Sequence, residues 1–312
     1  MGMLVDGVWQ SEDRRVTDEK GNFVRPVSPW RDWIEPGSNR FAPAADRYHL
    51  FVNAGCPWAY RTILYRELKG LTDLISISYT QPAVGSEGWT FGDSAEELLG
   101  ARHIHDVYTA ADDHFTGRCT VPVLWDKQDG TIVNNESADI IRMFDDAFAD
   151  LTGDTHRFYP AEHAAEIDAW NEEIYTNVNN GVYRCGFARS QEAYNEAFDA
   201  LFATLDRVDA HLANQRYLCG NTITEADWRL FATLVRFDVA YVGQFRCNRQ
   251  RIADYEHLWP YTRDLYQQPG VAGTVSIDAI KGIYYGGRPP YILPRGPDVD
   301  FASPHDRASL SA

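Results

Sequence analysis

One stretch constrains the fold more than any other. A compact apolar run at residues 48–52 (YHLFV) meets a turn at 53–55 (NAG), and Cys56-Pro57 then opens PWAYRTILYRELKGL. The first run reads as a short buried strand and the last as a helix. Proline suits the first helical position, Ala59, Ile63 and Leu64 share a face, and Gly70 is placed to stop the helix. Residues 74–79 (LISISY) alternate like a second strand. After an excursion over about 81–118 comes a strand-like run at 120–125 (TVPVLW), interrupted by Pro122. Residues 131–133 are expected to pair with it, antiparallel because the connection is short, and Ser137 to cap a helix over 138–148. The order β-α-β, then β-β-α, is thioredoxin-like. The excursion, with Gly85, Gly88, Trp89 and Gly92, is long for so small a unit, and such stretches are more often functional than idle.

The 312 residues leave room for a second domain. Residues 150–161 read as a linker. Beyond it, residues 162–180, 192–213, 225–240 and 258–267 carry apolar side chains near helical spacing, and Thr224–Asp227 reads as a capping box with Asp in the Glu/Gln position. The expected class is therefore α/β plus all-α. It divides into an arm (1–45) that packs on the body through Trp30, Trp33 and Phe41, a thioredoxin-like domain (46–150), an all-helical domain (161–292) and a loose tail (293–312). An apolar fraction of 44% and a charged fraction of 24% fit a soluble globular chain. A net charge of −16 argues against steering toward nucleic acid or anionic membrane. Only four of the 29 basic residues are Lys, which says little about chemistry. Five cysteines without a CxxC pair argue against a disulfide framework or a zinc site. No run reaches about 18 apolar residues, and the N-terminus lacks the apolar core of a signal peptide, so a cytoplasmic protein is expected.

Cys56 is the sharpest chemical feature. A cysteine between a strand and a Pro-led helix has backbone N–H groups and a helix dipole facing its sulfur, which favours thiolate at neutral pH. On residue type alone it would be a buried packing cysteine; the placement points to a nucleophile. Position 59 is Ala, so no resolving thiol follows one turn later, and a disulfide at Cys56 would need an external thiol. Cys119, Cys185, Cys219 and Cys247 lack this setting and read as packing residues.

Other residues have two readings each. Val121-Pro122 is either an edge-strand proline or a cis bond that leaves the Val121 backbone to pair with an extended ligand. Glu136-Ser137 at a helix start is either a simple cap or a site for the carboxylate and ammonium of an amino-acid-like terminus. Trp89 is core or ligand wall. Tyr183, in a Gly/Asn-rich break between helices, and Tyr241 and Tyr284, each following a helix, could aim hydroxyls at a sulfur as donors or general acids; packing is the ordinary role of any one of 17 tyrosines. His103-x-His105 offers two metal ligands, but no third or fourth has matching spacing, and no metal is expected.

Six blocks in order, NAGCPWAYRTILYRELKGL, GWTF, RCTVPVLWD, NNESADIIRMF, NNGVYRCGFA and the capping box, with VDGVW and RDWI in the arm and GIYYG beyond, resemble the glutathionyl-hydroquinone reductases, the Xi class of glutathione transferases. The resemblance covers nearly the whole chain and implies a thioredoxin-like domain followed by a helical one. It implies that Cys56 is the nucleophile, that Trp89, Arg118, Cys119, Thr120, Val121, Glu136 and Ser137 form the glutathione site, and that Tyr183, Tyr241 and Tyr284 surround the sulfur and the quinol. Cys119 beside Arg118 is a local variation. The implied reaction is reduction of a glutathionyl-hydroquinone through a Cys56–glutathione mixed disulfide, with glutathione as co-substrate and no permanent cofactor. The implied assembly is a homodimer. An Omega-like reductase would share Cys56 without needing the three tyrosines or the arm. A conjugating transferase would use Tyr or Ser in place of Cys56, and a non-catalytic binding module would have no reason to keep it. The identity of the aromatic quinol stays open.

Overall fold

A computed structural model describes residues 2–12, 16–287 and 291–311. Met1, residues 13–15 and 288–290, and Ala312 fall in the expected arm, helical domain and tail, and lie outside the described residues. The chain divides into two compact units. The first comprises Met1–Arg15, Pro26–His156 and Thr274–Leu293; the second comprises Val16–Arg25, Arg157–Gly273 and Pro294–Ala312.

Two short hairpins open the chain, β1 (Met3–Val5) with β2 (Val8–Gln10) and β3 (Val16–Thr17) with β4 (Phe23–Val24). The sheet of the first unit follows: β5 (Tyr48–Val52), β6 (Ile75–Tyr79), β7 (Val123–Asp126) and β8 (Thr131–Asn134), in the order β6-β5-β7-β8. Every residue of β5 is buried, as a central strand covered on both faces requires. It pairs parallel to β6, with Leu50 opposite Ile77, and antiparallel to β7, with Leu50 opposite Leu124. β7 and β8 run antiparallel.

The helix Pro57–Leu68 starts and stops for local reasons. Pro57 takes the first helical position, where a missing N–H costs nothing. At the other end Gly70 adopts φ +64°, its N–H donates to Glu67 O, and Leu71 N–H donates to Arg66 O, the paired bonds of a Schellman stop. The helix Ser137–Asp146 departs from the sequence expectation. Glu136, not Ser137, is its cap: the Glu136 carboxylate accepts from Ala138 N (3.1 Å), and Ser137 is the first helical residue.

The helix Ile277–Tyr285, expected to belong with the helical domain, lies in the first unit. Two glycines allow it to approach so closely. A Cβ at Gly55 would stand 2.3 Å from Ala279 O, and one at Gly282 would stand 2.4 Å from Pro82 Cβ. The arm is divided too. Trp30 packs on Tyr108 and Phe115, and Phe41 is buried, whereas Trp33 is exposed, contrary to expectation. Residues 16–25 pack within the second unit, where Arg189 N donates to Gly21 O and Phe23 meets Phe187 edge-on.

In the second unit the helices Ala164–Ile174, Gly181–Phe187, Gln191–Leu212 and Leu258–Tyr266 accompany Glu225–Arg236, which is buried along its entire length. The capping box at its start has both arms. Asp227 accepts from Thr224 N (2.8 Å), Leu218 N (2.9 Å) and the Tyr261 hydroxyl (2.8 Å), so a fully buried carboxylate ties three segments together. The expected loose tail is instead packed. Phe301 is buried against Trp259 and Tyr266, and buried Arg307 donates to the carbonyls of Leu212 (2.7 Å) and Arg216 (2.6 Å) and to Gln215 O. A guanidinium matching the open carbonyls at a helix end is not a feature that composition reveals.

Candidate active site

Cys56 occupies the N-cap position of the Pro57–Leu68 helix, with φ −73° and ψ 123°. It is 5% exposed, and its sulfur lies 3.9 Å from the carbonyl oxygen of Val121. The turn before it is built by Asn53, which is fully buried. The Asn53 side chain donates to Thr80 Oγ1 (2.9 Å) and Gln81 O (2.8 Å) and accepts from Gly55 N (2.9 Å), while its backbone carbonyl accepts from Cys56 N (3.1 Å). One amide thus fixes the end of β5, the residue after β6 and the approach to the cysteine. In the sequence Asn53 shows only as a turn residue, an Asn two places before a glycine.

The Val121-Pro122 bond is cis. The loop before it is held by Tyr108 from the helix Ile104–Ala111. The Tyr108 hydroxyl donates to Thr120 O (2.9 Å) and accepts from Thr120 N (3.2 Å) and Asn135 Nδ2 (2.9 Å). Burial pushes this phenol up to about 12, so it stays a neutral donor at physiological pH. Tyr108 therefore joins the loop carrying Arg118, Cys119, Thr120 and Val121 to the residue before Glu136, a link absent from the sequence expectations. Cys119 is 3% exposed, and burial pushes its thiol far up, which suits packing rather than nucleophilic chemistry.

Glu136 is half-buried, and its second carboxylate oxygen accepts from Ser28 Oγ (3.0 Å) in the arm. Ser137 is buried, with the Arg61 guanidinium 3.4 Å from its hydroxyl. Trp89 is 6% exposed, and its indole N–H is buried without a hydrogen-bond partner among the described residues. A buried donor left unpaired costs free energy unless a ligand completes it. Tyr284, on the Ile277–Tyr285 helix, is half-buried in the same unit. The first unit thus contains Cys56, the seven expected glutathione-site residues and Tyr284.

Tyr183 and Tyr241 belong to the second unit. Their rings lie 6.2 Å apart, and both meet Phe245, at 5.2 and 5.4 Å. Tyr183 sits not in a break but on the helix Gly181–Phe187, which follows a π-helical turn at Tyr175–Asn179. Tyr241 ends a second π-helical turn, Phe237–Tyr241. The Arg25 guanidinium lies 4.9 Å from the Tyr183 ring centre, within cation–π range. Cys185, Cys219 and Cys247 are buried free thiols, and burial raises the last two.

A family model for the glutathione S-transferase N-terminal domain matches residues 55–147, and one for the C-terminal domain matches residues 191–264. Fold and matched regions together define a glutathione transferase. The solved structure of a Xi-class transferase from Natrialba magadii superposes with a TM-score of 0.92 at 43% identity, covering 99% of this chain and 98% of that one. Glutathionyl-hydroquinone reductase YqjG of Escherichia coli is 45% identical over 98% of both chains. Its glutathione-bound structure superposes with a TM-score of 0.89 at 43% identity, covering 98% of this chain and 99% of that one. The chain belongs to the glutathionyl-hydroquinone reductases, the Xi class of the glutathione transferases.

Proposed function

We propose that this enzyme reduces glutathionyl-hydroquinones to hydroquinones at the expense of glutathione, with Cys56 as nucleophile. The observation that carries the reading is the position of Cys56 at a Pro-led helix N-terminus, with the Val121 backbone beside its sulfur. The helix dipole stabilises negative charge there, and thiolate is the reactive form. The Cys56 thiolate attacks the sulfur of the glutathionyl group; the S–S bond forms as the S–C(aryl) bond breaks. The electron pair stays on the ring carbon, which takes a proton and leaves as hydroquinone. Tyr183 supplies that proton in this reading, and Tyr241 and Tyr284 stabilise the developing charges. A second glutathione, as thiolate, attacks the Cys56–glutathione disulfide, releases oxidised glutathione and restores the Cys56 thiolate. The proton of that glutathione replaces the one consumed at the ring.

In this reading Trp89, Arg118, Cys119, Thr120, Val121, Glu136 and Ser137 hold glutathione. The unpaired Trp89 indole N–H is suited to an anionic or carbonyl group of the peptide, and the N-terminal turn at Ser137 is suited to a carboxylate. Glutathione is a co-substrate, no resident cofactor is invoked, and the working form is a cytoplasmic homodimer. The test is glutathione-dependent release of hydroquinone by wild type beside Cys56→Ala. Turnover by the first and none by the second is expected. An inactive wild type whose Cys56 still labels rapidly with a thiol reagent would overturn the substrate; an active Cys56→Ala would overturn the nucleophile.

A further inference from the structure

We infer that Glu87, His103 and His105 form a binding site for a divalent transition-metal ion, with zinc the best match to the donors. One ligand atom from each side chain lies within 4.8 Å of the others. The sequence offered only the His-x-His pair; the fold supplies the third ligand from the loop that carries Trp89. All three residues belong to the first unit.

The hydrogen-bond pattern around His105 shows which nitrogen faces the cluster. Its Nδ1 lies 3.1 Å from Asp106 Oδ1, so a neutral ring donates its Nδ1–H to that carboxylate and presents a lone pair at Nε2. The other Asp106 oxygen accepts from the backbone N–H groups of Arg102 and His103, both at 2.9 Å, which fixes the carboxylate against His105. Carboxylate–histidine pairs of this kind orient and strengthen metal-binding imidazoles. His105 Nε2 is buried, lacks a hydrogen-bond partner, and lies 3.7 Å from Glu87 Oε2, too far for a hydrogen bond. A lone pair facing a carboxylate is repulsive unless a cation stands between them. His103 is the N-cap of the Ile104–Ala111 helix, its side chain facing the Asp106 backbone N–H, and its buried Nδ1 makes no hydrogen bond of normal length. A proton can bridge two of these three groups; a metal ion can serve all three. Ligands about 2.1 Å from a tetrahedral ion stand about 3.4 Å from one another, so side chains whose ligand atoms span up to 4.8 Å must draw in by up to about 1.4 Å when an ion binds.

The surroundings favour retention of an ion. The two imidazoles stack at 4.8 Å, and the Trp9 indole stacks on His105 at 4.6 Å while donating to Ser86 O at 3.1 Å, so the N-terminal hairpin covers this side. Two imidazoles and one carboxylate with an open fourth position select zinc, cobalt or nickel over magnesium or calcium. A bound ion would clamp the loop of Trp89 to the helix Ile104–Ala111, where Ile104 N already donates to Trp89 O (2.9 Å).

The test uses untagged, chelator-stripped full-length protein carrying Cys56→Ser, so that the candidate thiolate does not compete. Zinc is titrated calorimetrically and cobalt by its electronic absorption. One equivalent of zinc should bind, and the cobalt complex should show no sulfur-to-metal charge-transfer band. Glu87→Gln and His105→Gln should each weaken binding about tenfold or more. Glu87 is exposed, so its variant keeps the test decisive if the histidine variant misfolds. No binding at micromolar zinc, affinity unchanged in Glu87→Gln, or a thiolate band would each overturn the assignment.

Discussion

At the scale of single residues, the local order depends on side chains that do no chemistry themselves. Gly55 is required by space: an added methyl would meet the Ala279 carbonyl at 2.3 Å, and backbone cannot move aside cheaply. Gly55→Ala should destabilise the protein by roughly 1–3 kcal/mol in urea unfolding and lower turnover, since the strain falls beside Cys56. Tyr108→Phe would leave Thr120 and Asn135 groups unpaired; a loss of roughly 1–3 kcal/mol is expected, with KM for glutathione rising more than kcat falls. An unchanged KM would separate Tyr108 from the ligand loop. His49 reports on pH. It is buried, with its ring nitrogens against Ser76 Oγ (2.7 Å) and Ser78 Oγ (3.0 Å), and burial, helped by Lys127 and Arg66, lowers it from 6.5 to about 4. Between these values the unfolded chain binds a proton that the folded one refuses. Stability therefore falls as pH drops from 6.5 toward 4, by roughly 3 kcal/mol. Chemical denaturation across that range should be flatter for His49→Gln than for wild type.

At the scale of elements, the sequence was legible where each rule acts within a few residues. The buried run of β5, Pro57 at a helix start, Gly70 at its end and the Thr224–Asp227 box were visible because each works locally. The two π-helical turns were not, since an extra residue shifts the apolar phase by about 100° and so looks like the end of one helix and the start of another; the sequence suggests a break at Tyr183 where the chain stays helical. Nor were the elements held by remote partners: Asn53, Tyr108 and the Ile277–Tyr285 helix depend on residues far along the chain. The C-terminal segment is the clearest case, since a polar, Pro-rich stretch is fastened by buried Phe301 and Arg307. Arg307→Ala should strip donors from three carbonyls and lower stability by roughly 2–4 kcal/mol, seen as a lower Tm. A Tm unchanged by that substitution would leave Phe301, not Arg307, as the fastening.

At the scale of the whole molecule, two units share one chain, and segments from both ends belong to both. Among the described residues no helix is long and apolar enough to cross a membrane. The net charge of −16 makes self-repulsion the dominant long-range electrostatic effect. Raising the salt from ~10 to ~150 mM shortens the Debye length from about 30 to about 8 Å, so Tm should rise over that range. The expected glutathione-site residues lie with Cys56 in the first unit, whereas Tyr183 and Tyr241 lie in the second. The most direct test of the central claim is a single turnover with glutathionyl-hydroquinone in the absence of free glutathione, read by intact-protein mass and peptide mapping. One glutathionyl group in disulfide linkage to Cys56, released on adding glutathione and absent from Cys56→Ser, is the predicted result. Hydroquinone release with Cys56 left unmodified would contradict the account.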